Sequence, residues 1–572
     1  MNRLHRPIRG SRHTLIACAL AGGLSAAHAQ TPPDAGALQR EAERSLAPRP
    51  VAPAVAAPLV RPMAEDAKGV RVAVTRISVE GASLIPAAEL EALVADRVGQ
   101  SLTLAELEHA AQRIAEHYRQ RGWFVRVYLP EQDVTGGHVR IQVLEGRYGG
   151  SRAEPKGSRV NGEWVRRVVT HRLQPGEPLP AADVERGLLL ANSLPGIYAA
   201  GLLEAGESQS TSRLVIYSDD KPFVTGDAAL NNYGVKATGR AQAVGGVALN
   251  NLSGIGDQLA LRGLAAEGLN NVQIRYVLPI HPDGWRLGAH FSALDYELGD
   301  RYRALDAEGK AKTGGLDLTY ALVRQRDRNL NLGAGYEHRR YEDDALDAAL
   351  RRHRIGAFTL SLSGDMRDSL HGGGISWGSV QLIRGQLDIR DVAADKAADR
   401  AGPRAEGGYA KLAFSLNRLQ ALGDSGWQIQ AGLSGQWADG NLASSEQFGL
   451  GGPYRVRAFP VNEASGDEGV LFKLELQKHL GGGWQAVAFY DAGRIRQYKD
   501  TWAGWDGGSG QPNGYSLAGA GLGLNWNRDG WQLAASAAVP VGGNPGKGSD
   551  GRNNDGSKPS SARFWLTLGR EF

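Results

Sequence analysis

Segments in which apolar and polar residues alternate follow one another almost without a break from residue 221 to the C terminus. Near residue 470, for example, Phe472, Leu474 and Leu476 alternate with polar residues. Alternation with a period of two predicts β-strands that have one apolar and one polar face. Sixteen such segments begin near residues 222, 238, 256, 270, 284, 314, 328, 353, 373, 406, 426, 468, 484, 515, 530 and 562. This part of the chain is therefore predicted to form a large β-sheet with two different faces.

The connections between these segments alternate in length. The second, fourth and every later even-numbered connection is short, as in SGIG, HPDG, GGG and NRDG, whereas most odd-numbered connections are long. Short turns at one end and long loops at the other are typical of outer-membrane barrels, whose short turns face the periplasm. A water-soluble β-sandwich also alternates, but it would not show this asymmetry over sixteen strands. Residues 221–572 are therefore predicted to form a 16-stranded antiparallel transmembrane β-barrel, so that the protein is mainly β.

The N-terminal residues have the pattern of a secretory signal peptide. A basic region is followed by an apolar stretch over residues 14–24 and by an Ala-His-Ala tripeptide that ends at Ala29. This pattern predicts removal of residues 1–29 and export of the rest. A lipoprotein-type cleavage before Cys18 is less favoured, because almost no apolar run precedes it.

The remainder of the chain contains no run of about 18 apolar residues, which argues against transmembrane helices. A closed barrel is the other structure that satisfies every backbone group inside a bilayer. Cys18, the only cysteine, would leave with the signal peptide, so no disulfide is expected in the exported protein. The barrel therefore has to be stabilised by its own strand pairing.

Two segments precede the folded domains. Residues 30–47 are predicted to form an amphipathic helix, because Leu38, Ala42 and Leu46 are spaced four apart. Residues 48–69 are rich in proline and alanine and are interpreted as a semi-rigid linker. We expect the helix to dock as a plug rather than to remain a solvated tail.

Residues 70–219 contain two consecutive copies of one small α+β module. The first copy, over 70–147, shows the order strand, helix, helix, strand, strand, and Thr103 with Glu106 predicts a capping box at its second helix. The second copy, over 148–220, repeats this order. Because the barrel begins and ends on the side of the short turns, both modules are expected in the periplasm.

The stretch from 448 to 469, FGLGGPYRVRAFPVNEASGDEG, lies between two predicted strands. It belongs to a connection predicted over 438–467, and a loop of this length in a compact protein is usually functional or disordered. Its apolar and aromatic residues argue against disorder. We therefore expect the loop to pack inside the barrel.

Sequence patterns of enzymes and metal sites are weak in this chain. Gly-Ile-Ser-Trp-Gly at 374–378 fits the nucleophile pattern of hydrolases, but that motif needs a strand-to-helix turn and the following residues alternate as a strand. The acidic residues Glu342, Asp343, Asp344 and Asp347 are expected in a solvated, charged loop. We predict that the protein is not an enzyme and needs no metal or other cofactor. The net charge of +4 also argues against nucleic acid as a partner.

Several short motifs resemble those of two-partner secretion transporters, the TpsB family of the outer-membrane superfamily that also contains the central barrel-assembly protein. The residues that match the family's polypeptide-transport-associated (POTRA) domains are Tyr118, Gly122, Leu129, Pro130, Gln132, Glu145 and Gly146 in the first module and Ser193, Leu194, Pro195 and Gly196 in the second. The residues that match the first barrel hairpin are Asn232, Gly234, Thr238, Gly239, Gly256 and Asp257. The terminal Phe572 resembles the recognition signal of outer-membrane barrels.

The resemblance implies a role for the long loop, whose family motif is Val-Arg-Gly-Tyr. Here the motif is Val456, Arg457, Ala458 and Phe459, and its partner motif on the thirteenth strand is Phe489, Tyr490 and Asp491. A guanidinium inside a barrel is costly unless it is paired, and a carboxylate on the wall offers two acceptors. We therefore expect Arg457 to bind Asp491 inside the lumen and to hold the loop there.

The resemblance also implies the function and the partners. A TpsA-like exoprotein would be secreted across the outer membrane without ATP, after docking on the POTRA domains as an added strand. The predicted docking residues are Tyr118, Trp123, Val125 and Val127, for which a role in the domain core is an equally open interpretation. Other expected partners are outer-membrane lipid, periplasmic chaperones and the barrel-assembly machinery, and a monomer is expected. The alternatives are a barrel-assembly insertase and a diffusion porin.

Overall fold

A computed structural model describes residues 32–47, 71–208, 211–507 and 510–572. The predicted signal peptide over 1–29 and the predicted linker over 48–69 lie outside the described residues. The described chain contains an N-terminal helix, two small α+β domains and one large closed β-barrel.

Sixteen antiparallel strands form the barrel, as the alternation predicts. Its first eight strands are β9 (Val224–Asn231), β10 (Gln242–Asn250), β11 (Gln258–Ala266), β12 (Leu269–His281), β13 (Trp285–Glu297), β14 (Ala307–Arg324), β15 (Arg328–Ala345) and β16 (Ala348–Asp368). The other eight are β17 (Gly374–Ile389), β18 (Gly407–Ala421), β19 (Trp427–Ala438), β22 (Glu468–Gly481), β23 (Trp484–Arg496), β24 (Gly514–Arg528), β25 (Trp531–Pro540) and β26 (Arg563–Glu571). Strand β26 pairs with β9 and closes the barrel.

The outer wall of the barrel is apolar, whereas the side chains of the inner wall are polar or buried. On β22, Phe472, Leu474 and Leu476 are each about 40 % exposed on the outer face. Between them, Lys473 and Glu475 point inward. Side chains of this kind on a barrel exterior are solvated by lipid. The alternation in the sequence therefore predicts the two faces correctly.

The barrel has a near end, which carries the two domains, and an opposite far end. All seven turns at the near end are short. At the far end, two connections are also tight turns, at 267–268 and 346–347, while the others are longer. The longest far-end connection runs from 439 to 467 and is called loop six below.

The first domain contains a three-stranded sheet in the order β2–β5–β4, with β2 and β5 parallel. Its elements are β1 (Arg71–Ala73), β2 (Arg76–Glu80), α2 (Ala87–Ala92), β3 (Ser101–Thr103), α3 (Leu104–Gln120), β4 (Val125–Tyr128) and β5 (His138–Glu145). The predicted capping box of Thr103 and Glu106 opens α3. Helix α3 packs its apolar face on the sheet and forms the core of the domain.

The second domain repeats this arrangement, with a sheet in the order β6–β8–β7. Its elements are β6 (Arg147–Pro155), α4 (Gly162–Thr170), α5 (Ala181–Asn192), β7 (Ile197–Ala205) and β8 (Thr211–Asp220). Only Gly146 separates the last strand of the first domain from the first strand of the second. The two modules predicted from the sequence are therefore present and directly joined.

The second domain contacts two near-end turns of the barrel. A methyl group on Gly256 would lie 2.5 Å from Cβ of Leu194, so a glycine is needed for this close approach. Arg286 on β13 donates to the hydroxyl of Ser193 at 2.6 Å. At the next turn, Arg186 donates to the carbonyl oxygen and carboxylate of Asp283. The Ser-Leu-Pro-Gly motif thus lies where the second domain joins the barrel.

The N-terminal helix, α1 (Ala35–Leu46), lies inside the barrel. Asp34 caps its N terminus by accepting a hydrogen bond from the amide of Ala37 at 2.9 Å. The helix contacts the inner faces of β10, β11, β13, β14 and β15. The apolar stripe of Leu38, Ala42 and Leu46 is almost fully buried against this wall. The amphipathic pattern therefore predicts both the helix and its buried face.

Candidate functional site: loop six and helix α1 in the barrel lumen

Loop six leaves β19 at the far end and folds back into the lumen. A 3₁₀ turn at Ser444–Glu446 is followed by a two-residue strand, β20 (Phe448–Gly449), which pairs with β21 (Ser465–Gly466). The segment between these strands forms the tip of the loop. The predicted start of the loop at Ala438 is one residue early, since Ala438 still pairs within β19.

The tip is held against the inner wall by apolar contacts. Leu450, Val456 and Phe459 are completely buried and pack on inward-facing side chains of β22, β23, β24 and β25. Burial of this extent removes several large side chains from lumen water, and each contributes about 1.5–3 kcal/mol. The loop tip is therefore packed on the inner wall of the barrel.

Arg457 forms the predicted pair with Asp491. Its Nε and Nη2 donate to the two carboxylate oxygens at 2.7 Å each, and its backbone amide donates to the same carboxylate at 3.1 Å. Asp491 is completely buried on β23. A planar guanidinium that meets a carboxylate through two parallel bonds fixes both distance and orientation.

Two further wall residues complete the environment of Arg457. Glu475 on β22 accepts from Nη1 at 2.8 Å, so two carboxylates surround one cation. The guanidinium carbon also lies 3.4 Å from the centre of the Phe489 ring, a cation–π contact. Burial lowers the pKa of Arg457, but the hydrogen bonds and charges of Asp491 and Glu475 outweigh this effect and raise it above its usual value.

Trp565 and Glu475 are functional candidates that the sequence does not reveal. The indole N–H of Trp565 on β26 donates to the backbone carbonyl of Arg457 at 2.8 Å. This bond joins the loop tip to the last barrel strand, close to the closing seam. The alternation of apolar and polar residues on β22 does predict that Glu475 faces the lumen. It does not predict that Glu475 binds Arg457.

Ala458 fits where the family motif has glycine. It is not among the described non-glycine residues with positive φ, so the position does not need the left-handed conformation. Its Cβ lies against Gly519 of β24, where an added methyl group would come within 2.4 Å. The space for the Ala458 side chain is therefore provided by a glycine on the facing wall.

Helix α1 is bound to loop six as well as to the wall. Arg40 donates from Nη1 to the carbonyl oxygens of Ser444 at 2.5 Å and Gln447 at 2.7 Å. On the other side of the helix, Asn271 donates to the Gln39 side chain at 3.1 Å. The helix and the loop thus occupy the lumen together and contact each other directly.

The four predicted docking residues of the first domain lie in three different environments. Tyr118 is completely buried, and its hydroxyl donates to Glu145 at 2.7 Å, so it is a core residue and not part of a surface groove. Val125 and Val127 are half-buried on β4, which is an edge strand of the sheet. Trp123 bridges to Pro180 of the second domain. The four residues therefore do not form one exposed groove.

The expectation of a solvated acidic loop around residue 343 is wrong. Pairing between β15 and β16 continues to Ala345, so Glu342, Asp343 and Asp344 belong to a strand and Asp347 to its tight turn. Asp343 is buried, and it accepts hydrogen bonds from the amide of Ala35 at 2.8 Å and from the Tyr296 hydroxyl at 2.6 Å. No local pattern around residue 343 predicts that helix α1 covers this part of the wall.

The hydrolase-like motif and the possibility of a metal site concern other parts of the described chain. Residues 374–378 lie at the start of β17 and form no strand-to-helix turn. Within the described ranges, no group of three or more histidine, cysteine or acidic side chains is arranged to hold a metal ion. Among the helices described, none is long and apolar enough to cross a membrane.

Comparison with known proteins identifies the family. The family described as haemolysin secretion/activation protein ShlB/FhaC/HecB matches residues 210–526, which is more than half of the chain. The chain belongs to this family. Residues 72–146 match the POTRA domain of the ShlB type, which corresponds to the first α+β domain.

Curated relatives cover most of the chain. The heme/hemopexin transporter protein HuxB of Haemophilus influenzae is 27 % identical over 493 residues, which is 85 % of this chain and 84 % of HuxB. The outer membrane transporter CdiB of Escherichia coli is 26 % identical over 482 residues, covering 82 % of this chain and 76 % of CdiB.

Solved structures have the same fold. CdiB from Escherichia coli matches with a TM-score of 0.64 and 23 % identity, covering 93 % of this chain and 95 % of that chain. BamA from Haemophilus ducreyi, lacking POTRA domains 1–3, matches with a TM-score of 0.54 and 17 % identity, covering 88 % of this chain and all of that chain. At these identities the likeness concerns the fold alone.

Family membership and fold together give the function in outline. The protein is an outer-membrane transporter of the two-partner secretion type, with its barrel in the outer membrane and its POTRA domains in the periplasm. The near end of the barrel therefore faces the periplasm, and the far end, from which loop six enters the lumen, faces the cell exterior.

Proposed function

We propose that the protein exports one large, β-rich exoprotein through the lumen of this barrel, with helix α1 and loop six as its two movable closures. The observation that carries the proposal is that both closures occupy the lumen and neither is part of the strand ladder. Each is held by a limited set of side-chain contacts that can be broken while the wall remains intact. A transport route that is closed at rest and opens for its exoprotein needs closures that can move while the wall stays intact.

Export of this kind requires no nucleotide and no catalytic step. An exoprotein that folds outside the cell buries apolar surface there, which makes its return through the pore unfavourable. The transporter then has to supply only a docking site, a route through the membrane and a closure. We propose a single copy of the chain as the working unit, with periplasmic chaperones and the barrel-assembly machinery acting in its own insertion.

The two alternatives fit the described lumen less well. A diffusion porin needs a permanently open aqueous channel, whereas helix α1 and loop six both lie inside this one. An insertase acts on other barrels at its wall, and it has no need of a removable helix inside. The likeness to BamA concerns the fold and does not decide between export and insertion.

The test of this function is export of the partner exoprotein in cells that lack the transporter and regain it from a plasmid. We expect the exoprotein in the periplasm without the transporter and in the medium with it, while the amounts of other outer-membrane barrels stay constant. Loss of several unrelated barrels on deletion, with export unchanged, would favour the insertase.

The open edge of β4 is the proposed docking site in the first domain. Strand β4 pairs with β5 on one side only, and Gly146 donates to the carbonyl of Phe124 on that side. Because backbone groups alternate in direction along a strand, the amides of Val125 and Val127 point away from β5. An extended segment of the exoprotein can pair with these groups by strand addition.

Val127→Pro should weaken exoprotein binding while the domain stays folded, because proline removes only an outward-facing N–H at an edge. The measurement is binding of the exoprotein's N-terminal domain to the full chain in lipid nanodiscs, with a dissociation constant of roughly micromolar for the unmodified chain. Val127→Ala, which trims the same side chain and keeps the N–H, is the matched control. Equal binding by both variants would exclude pairing at this edge.

A further inference from the structure

A short segment of loop six contacts both helix α1 and the barrel wall. This segment, Ser444–Gln447, is called the seat. It lies between β19 and β20, well before the loop tip that carries Arg457. The family motif does not include it, and the sequence pattern gives it no special role.

The seat binds the helix through backbone and side-chain groups. Two of its carbonyl oxygens accept hydrogen bonds from the Arg40 guanidinium. The hydroxyl of Ser444 donates to the N-cap carboxylate of Asp34 at 2.8 Å. A methyl group on Gly36 would lie 2.9 Å from Cβ of Ser445, so the helix backbone rests directly on the seat. Any movement of the seat therefore removes contacts from the first two turns of the helix.

Glu446 fixes the seat to the wall. Its carboxylate accepts from Arg339 on β15 at 2.5 Å and from Lys411 on β18 at 2.9 Å. Its backbone carbonyl accepts from Lys411 and from Gln436 on β19, each at 2.8 Å. The Glu446 side chain is only 1 % exposed. One buried residue thus connects the seat to three strands of the wall.

The charges make Glu446 the dominant contact of the seat. Burial raises the pKa of its carboxyl group, but the charges of Lys411 and Arg339 outweigh this effect and hold the pKa well below its usual range. The group is therefore ionised, between two cations. Removing one member of a buried network of this kind leaves the others uncompensated. No neutral side chain of similar size replaces that interaction.

This anchor is separate from the contacts of Arg457 with Asp491 and Glu475 at the loop tip, which are called the loop lock. Arg457 binds Asp491 on β23 and Glu475 on β22, whereas Glu446 binds side chains of β15, β18 and β19. The two sets share no side chain. The seat can therefore be loosened while the tip remains attached, and the reverse also holds.

We infer that Glu446 is a positioning residue for the plug: it holds the seat against the wall so that the seat retains helix α1 in the closed lumen. The inference rests on the proposed function, since it takes helix α1 as the resting closure. Opening then begins with the seat and the helix, and release of the loop tip is a second, independent step. Glu446 acts through the seat and does not contact the exoprotein.

The test compares single-channel currents of the full chain in planar lipid bilayers. Glu446→Gln should raise the time-averaged conductance at least about tenfold, the factor that corresponds to about 1.4 kcal/mol. Glu446→Asp keeps the charge and should restore part of the closure. Lys411→Gln removes the cation on β18 that Glu446 binds. If Glu446→Gln fails to insert into the membrane, the conductance of Lys411→Gln tests the inference in its place.

Glu463→Gln is the matched control within loop six. Glu463 is also buried, but it binds Asn544 and Asn554 of the β25–β26 loop and makes no contact with the seat. Burial raises the pKa of Glu463 to about 8, so an amide there replaces a group that is already largely neutral at pH 7. This variant should remain as closed as the unmodified chain.

A second comparison separates the inference from the proposed function. Deletion of residues 31–47 removes the helix itself, and in that background Glu446→Gln should add nothing. If the deletion opens the channel and both Glu446→Gln and Lys411→Gln stay closed, the seat does not retain the helix and the inference is wrong. Equal opening by Glu463→Gln would also overturn it. If the deletion leaves the conductance unchanged, the helix is not the plug and the proposed closure fails.

Discussion

Arg457→Ala is expected to insert into the outer membrane as a folded barrel and to lose most export of the exoprotein. The substitution leaves the buried carboxylates of Asp491 and Glu475 without their shared cation. Leaving a buried charge uncompensated costs roughly 3–5 kcal/mol, and less where lumen water reaches it. The ladder of sixteen strands does not depend on this pair, so the loop tip rather than the barrel should detach.

The measurement is the fraction of exoprotein in the medium at equal amounts of transporter in the membrane. Asp491→Ala should give the same defect, and the double variant should be no worse than the worse single one, because one interaction can be lost only once. Arg455→Ala is the matched control, since this nearby buried arginine stacks on Phe448 and lies outside the lock. Full export by Arg457→Ala, or strictly additive defects, would mean that apolar contacts alone hold the loop.

Deletion of residues 31–47 is expected to produce the largest rise in conductance of any variant. The helix buries its apolar stripe against the inner wall and fills the space beside loop six. Its removal exposes lumen that no other described segment covers. We expect a time-averaged conductance at least about tenfold above that of the unmodified chain, because the closed state must be favoured by more than about 1.4 kcal/mol to be dominant.

Export should survive this deletion, since the docking edge and the loop lock are left in place. A shuffled helix that keeps the composition of residues 31–47 but places polar residues at Leu38, Ala42 and Leu46 is the appropriate control. It should leave the channel as open as the deletion does. An unchanged conductance in the deletion variant would show that the helix does not close the resting pore.

The barrel could be predicted from the sequence because its physical cause is local. Every strand must present apolar side chains to lipid and polar ones to the lumen, so the period of two is repeated sixteen times. The lengths of the connections then predict which end of the barrel faces the periplasm. Strand ends were less predictable: β15 and β16 continue well beyond the predicted strands, because their pairing extends up to the tight turn at 346–347.

The site could be predicted only in part. The pair of Arg457 and Asp491 was expected from motifs that resemble those of a known family, whereas Glu475 and Trp565 were missed. Both are distant in sequence from the loop tip, and inward alternation predicts only that a side chain faces the lumen. Which inward side chain meets which loop residue depends on how the loop folds back, and a local pattern does not contain that information.

The wrong expectation for Asp343 has the same origin. Asp343 was expected in solvent because it lies among charges, yet the N terminus of helix α1, more than three hundred residues earlier in the chain, covers it. For Tyr118 the sequence leaves a docking groove and the domain core equally open, and the hydrogen bond from its hydroxyl to Glu145 places it in the core. Long-range packing decided both positions.

Passage of the exoprotein through the lumen can be tested at two adjacent positions of β16. Ser361 faces inward and lines a cavity of about 470 Å³ in the lumen, whereas Leu362 is 42 % exposed on the lipid-facing wall. The only native cysteine, Cys18, lies in the predicted signal peptide, so a single cysteine at either position carries a unique crosslinker.

The measurement is crosslinking of an exoprotein arrested during export by a tightly folded C-terminal fusion. We expect an adduct from Ser361→Cys and none from Leu362→Cys, with both variants exporting the exoprotein normally when no fusion blocks it. An adduct from the lipid-facing position alone, or export without any adduct in the lumen, would contradict passage through the barrel and would favour a route along its wall.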